Sequence, residues 1–224
     1  LGPLALAAVG FLPEANGNPR RIARLALAAA VLTLVLGLAA GIQVAIFGPL
    51  YTFTLGLAGA GIGFYLDALS AIMFLLVAFV GTVVIRYSDH YLAGDPNHGV
   101  FLQRMCLTVT AVLVLVVSGN LLQLTLAWIA TSVGLNSLLL FYGDRQAAIL
   151  AARKKFVVSR IGDIALIAAA VLIFSPFGGF DYVTIFAGTE TMATNGGSSG
   201  ALHAAALLLA VAALLKSAQF PLHG

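Results

Sequence analysis

Charge is what this sequence has least of. Of its 224 residues only 8% are Asp, Glu, Lys or Arg, against about 25% in ordinary soluble domains. A globule of this size cannot cover its surface with so few charges, which excludes a soluble enzyme and a disordered tail. Cysteine is nearly absent: one residue, Cys106, permits no internal disulfide and no CxxC metal or redox pair. The excess of positive charge is small, +3, and the basic residues sit between apolar blocks rather than on one polar face, so nucleic acid is not an expected partner. Catalytic signatures are missing too. There is no HExxH, Walker loop, GxSxG or Cys/His cluster, and Gly56, Gly59, Gly61 and Gly63 do not complete GxGxxG because Phe64 stands where the last glycine belongs. No tandem period of 20–50 residues is present.

What the sequence has is apolar length. Hydrophobic residues make up 61% and the mean hydropathy is +1.07. A spanning helix needs about 20 mostly apolar residues. Residues 1–13 fall short and read as the tail of a truncated helix; no basic stretch or A-x-A site marks them as a signal peptide. Longer segments follow at about 22–47 and 64–85. Residues 105–143 carry no charge; as one helix they would reach about 58 Å, so two passes are expected, turning at Ser118-Gly119-Asn120. A sixth segment covers 156–175, Pro176 and the Gly-rich stretch to Gly200 read as a long polar loop, and a seventh runs from Ala201 to Lys216. The expected fold is an all-α polytopic bundle of six or seven helices, divided into residues 1–63 (first helices and a loop) and a core, 64–224, that is incomplete at its C-terminal end.

Loop charge sets an orientation. Arg20, Arg21, Arg24, Arg86, Arg104, Arg145, Arg153, Lys154 and Lys155 all fall in or beside alternate connections, whereas 49–63, 118–120 and 176–200 contain no Lys or Arg. The basic set is therefore expected in the cytoplasm, in a cell inner (plasma) membrane, with membrane lipid around the bundle.

Ionisable groups at membrane depth are costly, about 2.5–3.5 kcal/mol on insertion scales, and so are functional candidates. Lys216 follows 15 residues free of formal charge, about 22 Å of helix. Pro221 is expected to break the helix and free the carbonyl of Ser217, gathering Ser217, Gln219 and the ammonium in one turn. An amine withdrawn from water can take up and release a proton; the alternative is a helix-end lysine that snorkels to the headgroups. Arg160 and Asp163, three apart, share a helix face and either neutralise each other or leave Asp163 free to relay a proton. Asp67 reads as an interfacial or capping carboxylate. Thr125, Trp128, Ser132 and Asn136, with Thr131 beside them, form a polar face that serves either interhelical hydrogen bonding or a hydrated path. His90, His98, Asp89 and Asp95 share one polar connection and read as solvated loop residues, with a metal site as the weaker alternative.

Three strings carry a family resemblance: Leu66-Asp67-Ala68-Leu69-Ser70; Lys154-Lys155-Phe156-Val157-Val158-Ser159-Arg160-Ile161-Gly162-Asp163; and Lys216-Ser217-Ala218-Gln219-Phe220-Pro221-Leu222-His223. Together they resemble the antiporter-like membrane subunits of respiratory complex I and the Mrp antiporters, in the L-type (chain 5) branch, over roughly the first half of such a subunit. The resemblance implies an inverted-repeat fold with a broken seventh helix. It also implies proton or Na+ conduction through Lys216, Asp163, Arg160 and His223, with Thr131, Ser132 and Asn136 as polar lining. One departure stands out. The branch places a glutamate where Thr131 stands here, and a carboxylate within about 4–6 Å holds a lysine protonated. Either Asp163 substitutes, or Lys216 gives up its proton more readily.

Trp128-Ile129-Ala130-Thr131-Ser132, Leu138-Leu139-Leu140-Phe141-Tyr142 and Ala151-Ala152-Arg153-Lys154-Lys155-Phe156 look like the DabB family, the antiporter-like subunits of two-component inorganic carbon pumps. This resemblance implies a DabA-like zinc-containing partner subunit, and no metal, quinone, nucleotide or catalytic site in this chain. The alternatives are an NADH–quinone oxidoreductase or Mrp subunit with other complex I or Mrp partners, and a non-conducting membrane scaffold.

Overall fold

In the computed structural model, residues 1–13, 18–52, 55–57, 60–142, 146–194 and 200–217 are described. Among them run eight helices: α1 (Gly2–Gly10), α2 (Pro19–Phe47), α3 (Ala68–Tyr91), α4 (His98–Val116), α5 (Leu121–Leu139), α6 (Gln146–Phe177), α7 (Tyr182–Thr194) and α8 (Gly200–Lys216). Five of these, α2 to α6, are long and apolar enough to cross a membrane. The chain is a multi-pass helical membrane bundle. Its outer faces carry bare apolar side chains such as Val35, Leu38, Phe79, Ile164 and Val171, a surface that only hydrocarbon solvates without penalty.

Three buried clusters hold the described bundle, the smallest being Ala165, Leu166 and Ala212 between α6 and α8. Leu6, Ile22, Ile85, Leu102 and Leu113 fill the first, among α1 to α4. Ala23, Ala26, Ala29 and Ala30 give α2 a face of small residues that lets neighbouring backbones approach, the usual way helices pack in lipid. The second core, from α5 to α8, is built on Leu121, Ala169, Ile173, Ile185 and Ala205. The α4–α5 hairpin joins them, turning at Ser118-Gly119-Asn120. Gly119 is required there. A Cβ on it would come 2.7 Å from the carbonyl carbon of Gly63, and its own N–H donates to the Gly63 carbonyl at 2.9 Å.

Short strands β1 (Leu50–Tyr51), β2 (Leu55–Leu57), β3 (Ala60–Ile62) and β4 (Tyr65–Leu66) modify the all-α expectation at one end. Antiparallel β1–β4 and β2–β3 pairs satisfy the backbone of the α2–α3 connection. Asn120 fastens that connection down: its Nδ2 donates to the Gly61 carbonyl at 2.9 Å, and its Oδ1 accepts from the Gln123 N–H at 2.7 Å. Asn120 also bridges to Asp181. The three connections without Lys or Arg therefore meet at one end of the bundle. At the other end, Gln103 reaches the Leu12 carbonyl at 2.6 Å and the Tyr142 hydroxyl donates to Asp95 at 2.9 Å.

Several boundaries differ from the sequence reading: the segment read as 64–85 is a helix over Ala68–Tyr91 preceded by a strand, and α4 begins at His98. The expected loop 176–200 contains α7, which spans only 13 residues and includes four Thr, so no long apolar run marked it. The sixth segment starts at Gln146 rather than Phe156, because hydropathy locates the part of a helix in lipid and not its hydrogen-bonded extent. Pro176 lies inside the last turn of α6; Gly178, at φ 65°, follows the end, its N–H donating to the Phe174 carbonyl at 2.8 Å, as a left-handed glycine cap does.

Asp67 caps α3. Ser70 donates to Asp67 Oδ1 from its N–H at 2.8 Å and from its hydroxyl at 2.7 Å, and accepts from the Asp67 N–H at 2.7 Å. These bonds, the Ser70 backbone first, hold the Asp67 carboxyl below the ordinary carboxylate range.

The shared end of the basic-free connections makes sidedness testable. In the full-length protein, with Cys106 and any other cysteine replaced, a membrane-impermeant maleimide added to intact spheroplasts should label Thr191→Cys. Tyr91→Cys should react only after permeabilisation; the reverse pattern would invert the orientation expected from the loop charges.

Candidate functional site

Lys216 ends α8, and its ammonium turns onto α5. Nζ donates to Thr131 Oγ1 at 2.8 Å and Ser132 Oγ at 3.0 Å, lies 3.4 Å from the Trp128 carbonyl oxygen, and sits 4.6 Å from the centroid of the Trp128 ring, within cation–π range. Thr131 and Ser132 fall midway along the 19-residue α5, so the ammonium is level with the middle of a spanning helix. The hydroxyls are held in place from behind: Thr131 donates to the Trp128 carbonyl at 2.7 Å, and the Ser159 hydroxyl of α6 donates to Ser132 Oγ at 2.9 Å. Back-bonding of this kind is how Ser and Thr satisfy themselves inside a helix. Here it leaves their oxygen lone pairs facing the ammonium.

Two neighbouring helices complete the surroundings. Gly134 lets α5 lie against α4, since a Cβ there would approach Thr108 Oγ1 to 2.7 Å. On α6, Arg160 Nη2 meets Asp163 Oδ2 at 2.7 Å, and the guanidinium stacks 5.0 Å from the Phe156 ring centroid. Asp163 is 3% exposed, and the Arg160 guanidinium beside it supplies the opposite charge that a buried carboxylate needs. Asp163, Lys155 and Arg160 all lie on α6, the helix against which α8 chiefly packs. A cavity of about 800 Å³ opens beside the ammonium, lined among others by Thr108, Trp128, Thr131, Ser132, Lys154, Lys155, Ser159 and Lys216.

Of the sequence-derived candidates, Thr131 and Ser132 meet Lys216, and Arg160 and Asp163 pair with each other on α6; Thr131 is the position where the resemblance implies a glutamate. Asn136 lies one turn further along α5, its Oδ1 buried without a hydrogen-bond partner. Thr125 bonds its own helix, donating to the Leu121 carbonyl at 2.8 Å. Ser217 likewise donates to the Ala213 carbonyl at 2.9 Å. Gln219, Pro221 and His223 lie outside the described residues. The loop residues His90, His98, Asp89 and Asp95 make separate contacts: His98 Nε2 is 3.5 Å from Asp89 Oδ1, a His90 ring nitrogen faces the Arg86 carbonyl at 3.1 Å, and Asp95 accepts from the Asn97 N–H at 2.7 Å. Ser159 and Lys155 were not singled out from the sequence. The signal was there in the four-residue steps Lys155, Ser159, Asp163, one face of α6.

Two family models match this chain. Residues 53–102 match the N-terminus of chain 5 of NADH-ubiquinone oxidoreductase (complex I), and residues 118–224 match the transmembrane region of the NADH:quinone oxidoreductase/Mrp antiporter family. The chain belongs to this family of antiporter-like membrane subunits. Within it, the chain is 43% identical over 169 residues to the probable inorganic carbon transporter subunit DabB2 of Halothiobacillus neapolitanus, an alignment covering 75% of this chain and 30% of the relative. It is 33% identical over 215 residues to the probable inorganic carbon transporter subunit DabB of Hydrogenovibrio crunogenus, covering 96% and 40%. The chain therefore spans well under half the length of these curated relatives. Its fold matches a chain of respiratory complex I from Thermus thermophilus with a TM-score of 0.76 at 22% identity, over 100% of this chain and 44% of that one.

The α6 ion pair gives a stability prediction. Arg160→Ala leaves the Asp163 carboxylate buried without its cation. The expected loss is about 2 kcal/mol, between exposed and fully buried pairs, because the Arg160 side chain remains 34% exposed. Thermal melts of the full-length protein in detergent should show the loss, and Arg160→Ala with Asp163→Asn should recover part of it.

Proposed function

We propose that the full-length protein is the ion-conducting membrane subunit of an energy-coupled inorganic carbon (CO2 or bicarbonate) transport complex, with Lys216 as its proton carrier. The observation that carries this reading is the Lys216 ammonium held at mid-helix by two hydroxyls and a carbonyl, beside a cavity. A lysine with neutral acceptors keeps a hydrogen-bonded seat whether or not it carries the proton. An aliphatic site would reject the ammonium, and a carboxylate would favour its protonated form more strongly than hydroxyls do. Trp128 and the hydroxyl pair hold the amine in one position, and the cavity supplies room for water to bring the proton. Asp163, neutralised by Arg160 in this arrangement, is a modulator of that proton whenever the pair parts. His223, Gln219 and the break at Pro221 belong to the onward path in this reading, and Asn136 to the polar lining.

The carbon-transport assignment is supported by the relatives named as DabB subunits and by Thr131 in place of a glutamate. A DabA-like zinc-containing subunit is the partner this reading requires, and the basic loops lie in the cytoplasm of a cell whose inner membrane holds the complex. The second reading, a proton-translocating subunit of an NADH–quinone oxidoreductase or an Mrp-type Na+/H+ antiporter, is favoured by the two family models. The neighbouring reading frames separate the two.

The mechanism is tested in the full-length protein expressed with its partner. Lys216→Ala should abolish bicarbonate uptake and restore a requirement for high CO2, at normal membrane levels of the variant. Unchanged uptake would remove Lys216 from the pathway. Thr131→Val, which deletes the nearer hydroxyl, should slow uptake roughly tenfold, the effect of about 1.4 kcal/mol.

A further inference from the structure

Lys155 is the group that the proton reading leaves unused. It enters the wall of the same cavity as Lys216, one and a half turns down α6 from the ion pair's Arg160. Its Nζ is buried and has no hydrogen-bond partner. The contrast with Lys216 is informative. Lys216 spends its N–H groups on α5 and rests on an indole ring, whereas all three donors of Lys155 are unspent. Among the described residues no acidic side chain lines the cavity, and the buried carboxylate on the same helix, Asp163, is paired with Arg160 at 2.7 Å. Three lysines, Lys154, Lys155 and Lys216, therefore line one cavity with no acidic partner among its described lining residues. Asn136 Oδ1, which shares a small side pocket with Lys155, offers an acceptor but no charge. Like charges gathered around one cavity repel and lose their hydration, and an anion among them relieves both costs.

We propose that this cavity binds a small monovalent anion, of the bicarbonate or halide class, seated on Lys155 and within reach of the Lys216 ammonium. At about 800 Å³ the space holds such an ion together with several waters, each of which takes about 30 Å³. Lys154 and Ser159 line the same wall beside Lys155, and a buried ammonium with free N–H groups makes charge-assisted bonds to an anionic acceptor. The site stands without the proton-carrier reading, since Lys155 is not part of that reading. If both hold, an anion arriving at Lys155 and a proton leaving Lys216 are coupled through the field they share.

The test uses the full-length protein in nanodiscs, in a buffer whose only anion is gluconate. Isothermal titration with sodium bicarbonate and with sodium bromide should show saturable binding of one anion per chain to the wild type. Lys155→Met should weaken it at least tenfold, Lys155→Arg should keep it within about threefold, and Arg153→Met, an exposed position outside the cavity wall, should leave it unchanged. Lys155→Gln serves where the methionine variant fails to fold. Competition between the two salts separates an oxyanion seat from a general halide seat, and either result supports the site. No saturable binding by folded wild type, or equal affinity in wild type and the folded Lys155 variant, would overturn it. Bicarbonate uptake lost in Lys216→Ala while anion binding is absent in the wild type would sink this proposal and leave the proton-carrier reading standing.

Discussion

The contact between the Lys216 ammonium and the Thr131–Ser132 hydroxyl pair is the interaction on which the second half of the bundle turns. It crosses from the end of α8 to the middle of α5, and α8 otherwise packs chiefly on α6. A cation at that depth is tolerated only where the protein replaces the lost water. Here the replacements are two hydroxyl oxygens, a carbonyl and the face of an indole. Each is weak alone. Together they supply acceptors on one side of the amine and leave the other side to the cavity, which is the asymmetry a group that exchanges protons needs.

The charges around this contact are arranged so that few are free. Asp163 and Arg160 cancel one another within one helical turn, and the remaining lysines face hydroxyls and apolar wall rather than carboxylates. A family position expected to hold a glutamate holds a threonine, and the structure puts that threonine, not a residue a turn away, against the amine. Substituting a neutral acceptor for a charged one changes the electrostatics around the amine. Neutral acceptors leave the local field open to whatever enters the cavity, be it a proton or an anion.

Much of this was legible in the chain because lipid imposes a simple grammar. Long uncharged runs located α2 to α6, Ser118-Gly119-Asn120 announced its own turn, and Lys216 was conspicuous as a charge after an unbroken apolar run. Asp67 was readable as a cap, since an acid just before an apolar helix has an N–H to accept from. The grammar failed where polarity and structure part company. Residues 146–155 are helical although charged, and α7 is helical although short and polar. Lys155 was read with the loop charges because its neighbours Arg153 and Lys154 are basic, and only the four-residue step to Ser159 and Asp163 hinted that it turns inward.

The sequence by itself determined that the protein lives in a membrane, where its long apolar helices lie, and which residues stand out as charges in oil, because burial in hydrocarbon is priced residue by residue and needs no knowledge of neighbours. Tertiary structure decided the rest. Which hydroxyls meet Lys216, which base neutralises Asp163, and that Lys155 lines the same cavity as Lys216 all depend on how α4, α5, α6 and α8 approach. That approach is set by contacts between residues far apart in the chain, Gly119 on Gly63 and Gly134 on Thr108 among them, and no local pattern encodes such distances.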